Sequence, residues 1–447
     1  MKKLFGTDGI RGVANEYPMT GEVAMALGRA LAHVFYNGHK PHILIGKDTR
    51  LSGYMIENAL AAGACSGGAD VFLVGPMPTP GIAFLTGSMR AIAGVMISAS
   101  HNPYQDNGIK VFDSEGFKLP DETERKIEQL VLNPNFDSFP VEDRIGRAKR
   151  IDDARGRYIE FIKSTFPKNL SLEDLHLVVD CAHGATYQIA PVIFEELGAQ
   201  VTVLNDKPNG KNINHQCGAV HPQAMAQKVK DVGADLGIAL DGDGDRVIFS
   251  DEHGNVIDGD AIMAICAEDM IQKGQLKDNT LVATVMSNQG LEEYIRMCGG
   301  KLIRTQVGDR YVVEAMRQNH YNFGGENSGH LVFLDHSRTG DGIVAALQVL
   351  RIMLERRSSL FKLVSRYKAF PQVLTGVKVK ERRDLQGVSV VQDMIKTFEQ
   401  TLGQEGRVLV RYSGTEPLVR VMIEGKNNQM IQKMALELSE CIQLNLA

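Results

Sequence analysis

The chain has 447 residues, 43% of them hydrophobic and 23% charged, with a formal net charge of −5. That length exceeds what one hydrophobic core usually supports and predicts three or four domains, and the composition excludes disordered and fibrous classes. The acidic balance argues against nucleic-acid or membrane partners, because such surfaces attract broad basic faces, so an anionic ligand would need a local positive pocket.

The amino terminus, MKKLFGTDGIRG, carries two lysines but then Gly, Asp and Arg in place of the apolar run of a signal peptide. No segment approaches the ~20 apolar residues of a membrane span. Six cysteines (Cys65, Cys181, Cys217, Cys266, Cys298 and Cys441) are scattered without C-x-x-C or zinc-like pairing. They read as reduced, mostly buried thiols of a cytoplasmic protein.

One supersecondary pattern recurs along the chain. Residues 43–75, 177–205 and 281–309 each run strand, small-polar loop, amphipathic helix, glycine turn, strand, as βαβ units do. Gly68, Gly198 and Gly299 are placed to supply the left-handed cap that lets each helix end. After each unit comes another apolar strand that empties into a polar loop: GVMI into SASHNP, LGIAL into DGDGDR, YNF into GGENSGH. Parallel strands put their carboxyl ends on one edge of a sheet, so three such domains can aim these loops at a common cleft. From about Phe370 the pattern changes to a small α+β domain. The expected fold is therefore α/β, with three similar domains of mixed sheets (residues 1–150, 151–253 and 254–368) and a smaller α+β domain (369–447) around a central cleft. The basic stretch 144–157 reads as a solvated linker helix.

Four loops carry the chemistry. In the first, the apolar segment 92–97 delivers Ser98, Ser100, His101 and Asn102 into a loop pinned by Pro103, and Asn107-Gly108 supplies a turn before a second strand at 109–112. A fixed, exposed Ser100 hydroxyl is a candidate nucleophile, although serines at strand ends more often only cap backbone groups. In the second, Asp241, Asp243 and Asp245 alternate with glycines that let the backbone curl so that the carboxylates converge, a hard-oxygen set suited to Mg²⁺. An EF-hand fits poorly, since Arg246 stands where that loop needs Gly. A strand followed by Asp-x-Asp also suits a phosphatase of the haloacid-dehalogenase type, with Asp241 carrying the phosphoryl group. The third, residues 324–330, sets Glu326 and Ser328 on a glycine-rich turn suited to vicinal sugar hydroxyls. The fourth, Arg411-Tyr-Ser413-Gly414-Thr415-Glu416-Pro417, is a phosphate cradle by residue type, with Arg420 as a nearby second cation.

SASHNP, DGDGDR, GENSGH and RYSGTEP, in that order and at these separations, resemble the α-D-phosphohexomutases. GTDGIRG and TQVGDRYV extend the resemblance through essentially the whole chain. It implies Ser100 as a phosphoserine, with Asp241, Asp243 and Asp245 holding Mg²⁺ together with the Ser100 phosphate and Arg246 beside them. It implies Glu326 and Ser328 on sugar hydroxyls, Arg411, Ser413, Gly414 and Thr415 on the non-reacting phosphate, Arg11 and Lys110 near the transferring group, and His330 near the reacting hydroxyl. The implied reaction interconverts glucosamine 6-phosphate and glucosamine 1-phosphate through a bisphosphorylated sugar, primed by glucosamine 1,6-bisphosphate or glucose 1,6-bisphosphate, and feeds UDP-N-acetylglucosamine and cell-wall precursor synthesis. The partner would be a hexosamine phosphate, with a homodimer as a candidate assembly. Glucose or mannose phosphate is the alternative substrate, and a non-catalytic sugar-phosphate-binding regulator the alternative role.

Overall fold

The computed structural model describes residues 4–6, 8–133, 144–379, 385–412 and 418–446. The chain divides into two compact units, Met1–Met286 with Leu302–Ser365, and Ser287–Lys301 with Arg366–Ala447.

Among the described residues of the first unit lies a sheet in the order Ile10–Val13, Asp106–Asp113, Ala93–Ile97, His42–Lys47, Asp70–Pro76, Ala148–Arg150. Its last four strands are parallel and its first two antiparallel. A second sheet runs Val256–Ile257, Val247–Ser250, Leu236–Leu240, His176–Asp180, Gln200–Leu204, and is again parallel at one end and antiparallel at the other. A third runs Lys301–Thr305, Thr280–Thr284, Phe323–Gly325, Leu331–Phe333. The mixed α/β architecture is as expected, and so are the βαβ units. Helix Ser52–Ser66 connects the parallel strands His42–Lys47 and Asp70–Pro76, and helix Ala190–Glu196 connects His176–Asp180 and Gln200–Leu204. Gly68, Gly198 and Gly299 have φ of +93°, +105° and +83°, the left-handed region that ends a helix without Cβ strain.

Two expectations are corrected. Asn107-Gly108 is not a turn: both residues lie within Asp106–Asp113, opposite Gly12 and Arg11 of Ile10–Val13. An edge strand on one side and Ala93–Ile97 on the other satisfy the backbone there, which outweighs the turn preference of the dipeptide. The basic stretch 144–157 is not one linker helix but strand Ala148–Arg150, which extends the first sheet, followed by helix Ala154–Ser164. Val256–Ile257 closes a hairpin with Val247–Ser250 at the edge of the second sheet.

Helix Gly342–Arg356 is apolar on nearly every face and is correspondingly buried from Gly342 to Leu350. Asp341 caps it, accepting from Ile343 N–H at 3.0 Å and Val344 N–H at 3.1 Å, and it also accepts from the buried Tyr158 hydroxyl at 2.7 Å. Burial pushes the Asp341 carboxyl up to about 6 against those donors. A raised carboxyl pKa means that the folded state binds the proton more tightly, so this group's contribution to stability falls as pH rises from about 4 to 6. Asp341→Asn keeps a cap acceptor and removes the titration. Its stability relative to wild type is expected to rise by on the order of 2–3 kcal/mol between pH 4 and pH 8. Denaturant melts of both proteins at the two pH values measure this, and a difference that shrinks with pH contradicts it.

In the second unit, strands Gln372–Lys378, Leu418–Gly425 and Gly406–Tyr412 form an antiparallel sheet with Leu418–Gly425 at its centre. Val391 and Phe398 of helix Ser389–Leu402, and Ile431, Leu438 and Ile442 of helix Asn428–Leu446, pack with the strand residues Val419, Val421 and Ile423. This is the expected α+β domain. Helix Gln289–Met297 of the third repeat groups with it: Gln289 N–H donates at 3.0 Å to Glu424, a fully buried carboxylate paired with Arg407 at 2.8 Å.

Candidate active site

Strands Ala93–Ile97, Leu236–Leu240 and Phe323–Gly325 are buried along their whole length. Their carboxyl ends deliver the first three polar loops. A cleft of about 500 Å³ is lined by residues of all three, Ser100, His101, Asp245, Arg246, Glu326 and His330, together with Asp8, Arg11 and Asp309. The common cleft is thus present within the first unit.

Ser100 is not exposed as expected. It is 1% accessible, and its hydroxyl donates to Asp241 Oδ2 at 2.6 Å. The 241–246 loop closes the hairpin from Leu240 to Val247, and two glycines permit its shape. Gly244 sits at φ +71°, and a Cβ on Gly242 would lie 2.6 Å from the Ser100 carbonyl oxygen. The carboxylate loop can therefore approach the serine loop only because that position has no side chain.

Asp241, Asp243 and Asp245 converge, with one oxygen from each within 4.8 Å of the others. Asp243 Oδ2 accepts from Thr79 Oγ1 at 2.5 Å and from Lys110 at 3.0 Å, and Asp245 Oδ2 lies 3.2 Å from Lys110. The buried second oxygens of Asp243 and Asp245 have no hydrogen-bond partner among the described residues. Unpartnered buried carboxylate oxygens are costly unless a cation meets them, so this set fits a hard divalent ion.

The charges form one network. Lys110, 2% exposed, also approaches Asp8 at 3.5 Å, and Asp8 meets Arg11 and Lys118. Lys118 continues to Asp309 at 2.6 Å. Burial opposes the Lys110 ammonium, but Asp243, Asp8 and Asp245 outweigh it and hold its pKa well above the usual lysine range. Burial and then Asp245 and Asp243 push Asp241 well above the usual carboxylate range. His101, 3.3 Å from the Ser100 hydroxyl, is lowered to about 4 by burial and by Arg246 and Arg11, so its imidazole is neutral at pH 7. His330 lies with Nδ1 3.7 Å from Asp245 and Nε2 3.8 Å from Asp309, and Nε2 accepts from Gly340 N–H at 3.2 Å. Burial opposes the His330 imidazolium, but Asp245, Asp309 and Glu326 outweigh it and raise its pKa.

Arg246 lies 3.9 Å from Asp245, and Glu326 Oε1 accepts from Gly308 N–H at 3.2 Å. Ser328 does not join them: it is absent from the cleft wall, and its hydroxyl is buried without a partner among the described residues. Arg411 and Arg420, in the second unit, face each other across Gly406–Tyr412 and Leu418–Gly425. Burial and then Arg420 lower the Arg411 pKa. Ser413, Gly414 and Thr415 lie outside the described residues. Sequence patterns missed Arg50, Thr79, Lys118 and Asn214, and gave Asp8 and Asp309 no role although both sit in the quoted GTDGIRG and TQVGDRYV segments.

Residues 2–138, 156–254, 258–370 and 374–440 match, respectively, phosphoglucomutase/phosphomannomutase alpha/beta/alpha domains I, II and III and the C-terminal domain of the same family. The chain is 58% identical over 448 residues to the phosphoglucosamine mutase of Geotalea daltonii, covering 100% of this chain and 99% of the relative. It is 60% identical over 445 residues to that of Desulfotalea psychrophila, covering 99% of each. Its fold is similar to that of a phosphoglucomutase/phosphomannomutase family protein from Burkholderia thailandensis, with a TM-score of 0.82 at 24% identity over 99% of this chain and 97% of that one. The N-acetylphosphoglucosamine mutase of Aspergillus fumigatus, solved with GlcNAc-6P and magnesium, gives a TM-score of 0.70 at 20% identity over 99% and 96%.

Proposed function

Because the chain belongs to the phosphoglucomutase/phosphomannomutase family, the α-D-phosphohexomutases, we propose that it interconverts glucosamine 6-phosphate and glucosamine 1-phosphate through a phosphoserine at Ser100. The observation that carries this reading is the Ser100 hydroxyl, held 2.6 Å from Asp241 at the head of three converging carboxylates.

In the forward step the bond from phosphorus to Ser100 Oγ breaks and a bond to the free sugar hydroxyl forms. That hydroxyl gives up its proton, and Ser100 Oγ regains one. The bisphosphate then turns over, and its other phosphoryl group returns to Ser100. Asp241, Asp243, Asp245 and the Ser100 phosphate would hold Mg²⁺, which would supply positive charge to the phosphoryl oxygens. Lys110, ion-paired to Asp8, Asp243 and Asp245, and Arg11 and Arg246 add positive charge beside the same oxygens. His330, in the cleft wall, is our candidate for the proton of the sugar hydroxyl. Arg411 and Arg420 crowd two cations together, and a phosphate would relieve that repulsion. We assign them, with Ser413, Gly414 and Thr415, to the non-reacting phosphate. A sugar bisphosphate restores Ser100 phosphate when it is lost. Six cysteines, four of them buried, suit a reducing, cytoplasmic setting, where the product would feed UDP-N-acetylglucosamine synthesis.

The 2-ammonium group separates this substrate from glucose or mannose phosphate, and Glu326 in the cleft wall is the carboxylate we assign to it. A charge-assisted bond of that kind is worth roughly 1.5–3 kcal/mol, about one to two orders of magnitude in preference. The expected result is higher kcat/KM for glucosamine phosphate than for the other two sugars, with the advantage lost in Glu326→Gln. Side-by-side kinetics, each sugar primed by its own bisphosphate, decide it. Equal efficiency on all three sugars leaves the mutase chemistry standing and removes the amino-sugar assignment.

A further inference from the structure

Arg50 is fully buried and takes no part in the cleft wall. All five of its side-chain donors are used. Nε donates to Asp48 at 2.8 Å, Nη2 to the carbonyls of Ser100 at 3.0 Å and Asn102 at 2.8 Å, and Nη1 to the carbonyls of Pro103 and, at 3.0 Å, Asp106. Four carbonyls of the serine loop thus converge on one guanidinium. Asp48 in turn accepts from Ser98 Oγ at 2.7 Å, and Ser98 Oγ accepts from Ser100 N–H at 2.8 Å. Asn214 reaches the Ser100 carbonyl from the other side at 2.8 Å.

Both peptide groups of Ser100 are therefore held, and they are held in a costly conformation. Its φ is +50°, which for a residue with a Cβ costs about 1–2 kcal/mol and persists only where surroundings over-determine it. In a planar trans peptide the N–H points opposite to the preceding carbonyl. With the Ser100 carbonyl on the guanidinium, the His101 N–H is directed away from it, and that N–H has no acceptor among the described residues.

We propose that Arg50, acting with the Asp48–Ser98 pair, is the positioning residue of the phosphoryl-transfer serine. It locks Ser100 in its left-handed state and leaves the His101 N–H for an oxygen of the transferring phosphoryl group. The proposal rests on Ser100 as the phosphoryl carrier. Arg50 touches neither sugar nor phosphate, so its loss acts on the transfer rate and not on binding.

The test follows phosphorylation of dephosphorylated enzyme by glucose 1,6-bisphosphate, by rapid quench and intact-protein mass spectrometry, beside calorimetric affinity for the same compound. Arg50→Lys keeps the charge but loses the planar fork. It is expected to slow Ser100 phosphorylation about 100-fold, the scale of a misplacement near 1 Å, with affinity within about 3-fold of wild type. Ser98→Ala removes the hydroxyl that links Asp48 to Ser100 N–H and is expected to slow it about 10-fold; it decides the matter if thermal melts show Arg50→Lys to be unfolded. Wild-type rates in a folded variant, or affinity lost in step with rate, overturn the proposal. Wild-type enzyme that takes no label on Ser100 overturns the phosphoserine itself, a result distinct from either.

Discussion

Replacing Ser100 with alanine is expected to lower mutase turnover by at least about 10⁴-fold, the scale on which covalent catalysis collapses when its nucleophile is removed. The physical reason is local. Ser100 is the hydroxyl at which the serine loop meets the carboxylate loop, 2.6 Å from Asp241, and alanine leaves no oxygen to carry the phosphoryl group. The fold should tolerate the change, because the bonds that hold the loop run through backbone atoms, the Ser100 N–H to Ser98 and its carbonyl to Arg50 and Asn214. Wild-type protein incubated with glucose 1,6-bisphosphate should gain the mass of one phosphoryl group, mapped to Ser100, and Ser100→Ala should gain none. A label on Asp241 instead would establish an aspartyl phosphatase in place of a mutase.

Lys110→Met is expected to destabilise the protein by about 3–5 kcal/mol when a chelator is present, the usual consequence of deleting one partner of a buried ion pair. Lys110 is the cation shared by Asp8, Asp243 and Asp245. Methionine fills much of the same volume but leaves Asp243 without its ion-pair partner among the described residues, and Asp8 and Asp245 with one cation fewer. Added Mg²⁺ should restore part of the loss, since binding to the folded state alone shifts the equilibrium toward it. Denaturant midpoints of wild type and variant, with and without Mg²⁺, provide the measurement, and turnover should fall with the missing charge. A variant as stable as wild type in chelator would mean that the carboxylates are neutralised by protons, and that Lys110 does not hold the cluster together.

How much of this was legible in the sequence depended on whether the governing interactions were local. Apolar runs ending in polar residues located the three strand ends, because burial of a strand writes itself into consecutive residues. Glycine spacing located the carboxylate loop, because the curl that brings alternate carboxylates together is made by the residues between them. The helix-ending glycines were legible for the same reason: Gly68, Gly198 and Gly299 take the positive φ that their place in the pattern demands. Local preference failed at Asn107-Gly108, where pairing with Ile10–Val13, almost a hundred residues earlier, overrode a turn-forming dipeptide.

The remainder was decided by the tertiary structure alone. Asp8, Lys118 and Asp309 meet across separations of 110 and 191 residues, and no periodicity connects a lysine to a carboxylate that far away. Ser100 was identifiable as a loop serine, but its burial follows from the carboxylate loop folding over it, which in turn needs Gly242 opposite the Ser100 carbonyl. Arg50 was silent in sequence for a different reason. Four of its five side-chain donors go to backbone carbonyls, and every residue carries one, so the residues opposite Arg50 could not reveal the contact. Side-chain pattern determined which loops carry the chemistry, and long-range packing decided how those loops are charged, buried and held.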